Sequence, residues 1–183
     1  MAERGEAHQA LREATRADHE ALDGMFGRFD LGDRDAYRAF LTAHAMALPA
    51  VEAALDAAGF ADALPDWPER HRADAIAADL AALGAPLPAP LASPAIADAA
   101  ACWGAAYVLE GSRLGGAFLA RQVADAWPKS YLGTSQTPGR WRAFLSALDD
   151  AIATPQDIAS AGATARAVFA LFGEAGRRQL ETT

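Results

Sequence analysis

The sequence has a single cysteine, Cys102, among its 183 residues. One thiol excludes an intrachain disulfide and fits a reducing compartment. Cationic side chains are in deficit, 16 Lys and Arg against 24 Asp and Glu, for a net charge of −8. No basic stripe breaks that balance, which argues against a nucleic-acid partner. No apolar run reaches membrane-spanning length without charges, so no membrane span is expected. The polar, charged stretch Met1 to Ala10 does not read as a secretory signal, and a cytoplasmic protein is the expectation. β-Branched residues are scarce and no alternating strand pattern recurs. Also missing are a His/Glu pair at zinc-ligand spacing, a GxSxG elbow, a phosphate-binding loop and a dinucleotide fingerprint after a strand.

What remains is rich in alanine and leucine and predicts an all-α, single-domain helical bundle over residues 1–183. A first helix is expected from about Glu6 to Phe26, with Leu11, Thr15, His19, Leu22, Phe26 and Phe29 on one narrow face. A second opens at Asp33 and carries Tyr37, Phe40, Leu41, His44, Leu48, Val51 and Leu55, with Pro49 inside it. A short helix is expected over about Glu69–Leu83, and a Pro-rich connector over Gly84–Pro94. Ser93 and Pro94 read as the cap and first residue of a fourth helix that runs to about Ala126. Trp127–Gly139 reads as a loop. Pro138 opens a fifth helix through Trp141, Phe144, Leu145, Leu148 and Ile152, and Thr154–Pro155 opens a sixth.

The fourth helix carries the most informative pattern, Gly104, Gly111 and Gly115 with Gly116 beside it. Glycine inside a helix costs about 1 kcal/mol relative to alanine. Alanine is plentiful in this chain, so each glycine implies a neighbour that a Cβ would obstruct. That neighbour is either another helix or a flat ligand. Gly104, Val108, Gly111, Gly115, Leu119 and Gln122 share one face by helical angle. On the first helix, His19 sits among apolar residues, so its ring is expected to point inward. It reads either as a core histidine bonded to a carbonyl or as a neutral imidazole ligand, the usual proximal ligand of haem iron. Haem is a flat, largely apolar disc with carboxylates at one edge. Arg12, two turns before His19, and Arg142, beside Trp141, are candidate rim cations, with Lys129 and Arg16 as further options. His44 reads as structural.

Two segments resemble a known family. Leu11-Arg-Glu-Ala-Thr-Arg-Ala-Asp-His19, followed by Leu22, resembles the proximal-helix signature of haem oxygenases. Tyr107-Val-Leu-Glu-Gly-Ser-Arg-Leu-Gly-Gly116 resembles the distal-helix signature of their bacterial, biliverdin-producing branch, the type associated with bacteriophytochromes. Trp141-Arg-Ala-Phe-Leu145 and Ala167-Val-Phe-Ala-Leu-Phe172 fit that branch's C-terminal helices, so the resemblance covers nearly the whole chain.

The resemblance implies a haem-oxygenase-like fold and oxidative cleavage of haem, both cofactor and substrate, to biliverdin, carbon monoxide and ferrous iron. It implies molecular oxygen and an external electron donor of ferredoxin or flavoprotein type, with the product passed to a bacteriophytochrome. His19 would be the iron ligand. Gly111, Ser112, Gly115 and Gly116 would form the distal surface. Arg12, Thr15, Val108 and Arg142 would complete the haem contacts. Ser112 stands where the vertebrate-type motif has an aspartate, which leaves Ser112 and backbone carbonyls to order distal water. A haem carrier or sensor of the same fold, a thiaminase-like helical enzyme and a plain helical interaction domain are the competing readings. Cys102 lacks the polar surroundings the second would need, and the third leaves the glycines unexplained.

Overall fold

In the computed structural model, residues 5–133 and 138–182 are described. Among them the chain forms seven α-helices and no strand: α1 (Glu6–Phe26), α2 (Arg34–Ala57), α3 (Ala73–Ala82), α4 (Ala99–Ala120), α5 (Ser130–Gly133), α6 (Arg140–Ala151) and α7 (Pro155–Leu180). Local chemistry sets the starts of α2 and α7. The Asp33 carboxylate accepts from the amides of Asp35 and Ala36 and begins α2. Thr154 and Asp157 form a reciprocal capping box at α7, with Pro155 in the first turn.

Three expectations are corrected. The fourth helix starts at Ala99, not after Ser93–Pro94. Pro86, Pro88 and Pro90 remove amide donors from the connector, and the Leu91 amide donates instead to the Met46 carbonyl of α2. The Ser93 hydroxyl is turned onto the Pro94 carbonyl, so Asp98 caps α4, accepting from the Ala101 amide and from Ser160 on α7. The third helix begins only at Ala73, after a short 3₁₀ turn over Pro68–Arg70. Ser130–Gly133, read as loop, is a helical turn capped from α3 by Asp79, which accepts from the Ser130 and Tyr131 amides at 3.0 and 2.8 Å. The segment 134–137 of that expected loop lies outside the described residues.

Helix α7 is the spine. α1 runs alongside it in the same direction, with Leu11 at Gly162, Leu22 at Gly173 and Met25 and Phe26 at Gly176. α4 crosses it at Gly104, where a Cβ would fall 2.0 Å from the Ala161 carbonyl oxygen. α2 packs on it through His44 and Phe172 and through Met46 and Gln179. The central core collects Leu11, Leu41, Leu48, Leu55, Leu109, Phe144 and Leu148, all fully buried. α1 and α4 both lean on α7 but have almost no contact with each other. That arrangement makes the space between them the candidate groove.

Candidate ligand groove

The glycines of α4 divide into two kinds. Gly104 and Gly116 are required by the protein's own packing: a Cβ would meet the Ala161 carbonyl at the first and the Leu132 carbonyl, at 2.8 Å, at the second. Gly111 and Gly115 are not. A methyl at Gly111 would sit in ordinary contact with Trp141, 3.7 Å away, and one at Gly115 would touch nothing within 4 Å. Their shared face carries Leu114 and Phe118, which are 54% and 63% exposed and among the most exposed large apolar side chains described. A helix face that combines missing side chains with exposed apolar ones fits a flat apolar ligand. Trp141 bounds that face, its ring 5.9 Å from Tyr107 and stacked 5.6 Å from Phe144.

His19 is not a core histidine. Its side chain is 62% exposed, with Nδ1 3.1 Å from Asp23 Oδ2 one turn on and the ring edge-on to Phe169 at 5.9 Å. A carboxylate at Nδ1 fixes the tautomer that leaves the Nε2 lone pair for a ligand. The inward orientation expected from the helical wheel fails because α7 meets the ring only edge-on through Phe169 and leaves most of it exposed. Among the described residues no cluster of three or more His, Cys, Asp or Glu could hold a metal ion. Haem asks for one imidazole, a flat apolar face and cations; His19, the Gly111–Gly115 face with Leu114 and Phe118, and the exposed Arg12 and Arg142 are of those kinds.

The other expected residues fall out unevenly. Arg12 and Arg142 are exposed, and Arg12 borders an open depression of about 700 Å³ along the flank of α1. Bordered by one helix, that depression encloses nothing, but it leaves the Arg12 guanidinium unobstructed. Arg16 pairs with Glu13 and Lys129 with Asp125, so neither is committed to the groove. Thr15 is buried, its hydroxyl donating to the Leu11 carbonyl, and Val108 is buried in the core. Gly116 is taken up by Leu132. These three stand inside the fabric of the bundle rather than on the open face.

Behind α4 lies a polar layer that the sequence reading missed. Arg72 Nη2 donates to the Leu109 carbonyl and to Ser112 Oγ, both at 2.8 Å, and Ser112 donates back to Leu109. A cavity of about 30 Å³ opens there, lined by Arg72, Ser112, Arg113, His44 and Tyr131 among others. It has room for about one water. The buried Arg72 Nε has no hydrogen-bond partner. The available signal was Glu110 and Arg113, two charges one turn apart on an otherwise apolar helix. Arg70 and Arg72 stand in a run of polar residues, with no local signal of burial.

His44 lines the same cavity. Burial lowers its pKa from 6.5 to about 4, although Nδ1 bonds the Phe40 carbonyl. Neutral in the fold but protonated below about pH 6.5 when unfolded, it contributes stability that is complete above pH 6.5 and lost as pH falls toward 4. The span corresponds to about 3 kcal/mol at 1.36 kcal/mol per pH unit. His44→Phe should therefore lose markedly less stability between pH 7 and pH 4.5 than the parent, measured by urea unfolding at each pH. Parallel losses in the two proteins would contradict the assignment.

An exposed histidine on one helix and, on another, a face of two glycines flanked by exposed Leu114 and Phe118 are both carried on α7 in an all-helical domain. No family model matches the sequence. A haem oxygenase of Xanthomonas campestris pv. campestris (strain 8004) is 33% identical over 155 residues, 76% of this chain and 88% of that protein. The crystal structure of the NO- and CO-bound haem oxygenase of Neisseria meningitidis superposes with a TM-score of 0.82 at 25% identity, covering 96% of this chain and 92% of that one. The chain belongs to the haem oxygenase family, and its activity is of that class. Among the described residues no helix is long and apolar enough to cross a membrane.

Proposed function

We propose that this chain cleaves haem to biliverdin, carbon monoxide and ferrous iron, with haem held between His19 on α1 and the Gly111–Gly115 face of α4. The observation that carries this reading is the division of the glycines: two serve the protein's own packing, and two serve nothing within it. When bound, haem supplies the metal that activates oxygen and the ring carbon that is oxidised.

The protein's residues supply position and protons. His19 holds the proximal side through Nε2, and Asp23 keeps the imidazole in the required tautomer. Gly111 and Gly115 let the backbone lie close to the ring, which restricts approach on that side to a path along the ring plane. Leu114, Phe118 and Trp141 exclude water from the rest of the face. Arg12 and Arg142 pair with the propionates and set the rotation of the disc, and hence which meso carbon is presented. Arg72 and Ser112 hold a water in the small cavity beside α4, a proton source where the vertebrate-type aspartate is missing. The electrons come from a ferredoxin or flavoprotein in the cytoplasm, and a bacteriophytochrome is the proposed recipient of the product.

Adding hemin to the purified protein should give a stoichiometric complex with a histidine-ligated Soret band. Ascorbate or reduced ferredoxin with oxygen should then replace that band with biliverdin absorption. Uptake without product would make the chain a haem carrier, and failure of uptake would end the haem reading altogether.

A further inference from the structure

Two arginines from outside α4, Arg70 and Arg72, and one of its own, Arg113, meet at one turn of the helix. Glu110 is fully buried and accepts from two of them, from Arg70 Nη1 at 2.5 Å and from Arg113 Nε at 2.8 Å. Arg113 Nη2 donates to the backbone carbonyl of Arg70. Arg70 also grips Asp66 with two parallel bonds, at 2.9 and 2.8 Å, and Asp66 reaches Arg140 at the start of α6 at 3.4 Å. Arg72, held at its amide by Glu52 of α2, completes the set through Leu109 and Ser112. The whole group converges on residues 109–113, the turn that leads into Gly115.

Bonds of this kind are an expensive way to hold a helix. Desolvating the charges offsets most of their attraction, and apolar side chains of the same volume usually stabilise a core as well or better. What they add is direction: a carboxylate bonded on both oxygens and a guanidinium bonded on both edges have one geometry. The place where that direction is spent is the softest part of α4. Three glycines in six residues, Gly111, Gly115 and Gly116, weaken the helix, and at the face carrying Gly111 and Gly115 a Cβ would meet only Trp141, at Gly111, and nothing within 4 Å at Gly115. The same network reaches Arg140, next to Trp141, the side chain that bounds the groove at Gly111.

We propose that Glu110, with Arg70 and Arg113, is a positioning unit. It fixes the height and tilt of the Gly111–Gly115 face and, through Asp66 and Arg140, its offset from Trp141, and so, together with the rotation set by Arg12 and Arg142, determines which edge of a flat substrate meets the reacting oxygen. Its link to product identity rests on the haem reading above; its effect on α4 does not.

The test uses Glu110→Gln and the double replacement Glu110→Leu with Arg113→Leu. The first leaves two cations facing a neutral amide. The second removes the charge pair and keeps Arg70 on Asp66, so it should fold even where the first does not. Hydrogen exchange of the full chain without hemin should show amides 111–116 exchanging roughly tenfold faster in either variant, with α1 and α2 unchanged. Loaded with hemin, both should keep the Soret position of the parent but give a mixture of biliverdin isomers in place of a single one. Unchanged exchange in a folded variant overturns the proposal, as does faster exchange with the parent's isomer distribution. If the parent takes up no hemin, the haem reading falls and the exchange result alone decides whether Glu110 positions α4.

Discussion

His19→Ala is expected to remove haem turnover while leaving the protein folded. The imidazole projects from α1 into the groove and makes only an exposed pair with Asp23 and one edge contact with Phe169. Alanine is the best helix former, so α1 should hold or gain slightly. The loss falls on the ligand: the axial nitrogen goes, and with it the fixed distance between the haem and the face of α4. Circular dichroism and melting should be indistinguishable from the parent. The histidine-ligated Soret band should vanish, and biliverdin formation should drop by at least about a thousandfold, about 4 kcal/mol of barrier. Free imidazole restoring the band but little product would assign His19 to placement as well as ligation. Parent-like activity in His19→Ala would falsify the haem assignment.

The second expectation is a contrast between two identical substitutions on one helix. Gly104→Ala places a methyl 2.0 Å from the Ala161 carbonyl oxygen, and both partners are backbone, so α4 and α7 must separate. A cost of about 3 kcal/mol or more follows. Gly115→Ala meets nothing within 4 Å and should stabilise the ligand-free protein by up to about 1 kcal/mol through helix propensity. Its penalty should appear only with hemin, as weaker binding and slower product formation, and Gly115→Leu should extend this to a blocked face. Thermal melts with and without hemin separate the two effects. If Gly104→Ala melts like the parent, or Gly115→Leu binds hemin unchanged, the division of the glycines is wrong.

Much of this was legible in the sequence, where the signals are local. Asp33, Thr154 and Pro155 act within one turn of themselves, so the starts of α2 and α7 fall where the residues put them. Ser93–Pro94 carries an equally good local signal and fails, because the prolines before it and the bond from Leu91 to α2 hold the connector extended. The glycine pattern drew attention to α4 but did not distinguish the glycines that the packing requires from those it does not. Gly104 and Gly111 are seven residues apart and share a helical angle, yet only Gly104 meets another backbone. Angle is a property of one helix; crossing points belong to two. For the same reason the inward orientation expected of His19 fails: its side chain is 62% exposed. The arginines behind α4 were illegible because their partners lie 37 to 43 positions away.

The way α1 and α4 both lean on α7 has a thermodynamic consequence. On the proposed reading, substrate clamped between them would act as a keystone, a piece of the interior that the enzyme destroys each cycle. Every catalytic round would then end by loosening the vault that made it possible, and departure of the product would be helped by the loss of its own seat. Resistance to heat should accordingly climb with hemin concentration by RT ln(1 + [hemin]/Kd) and subside as hemin is consumed.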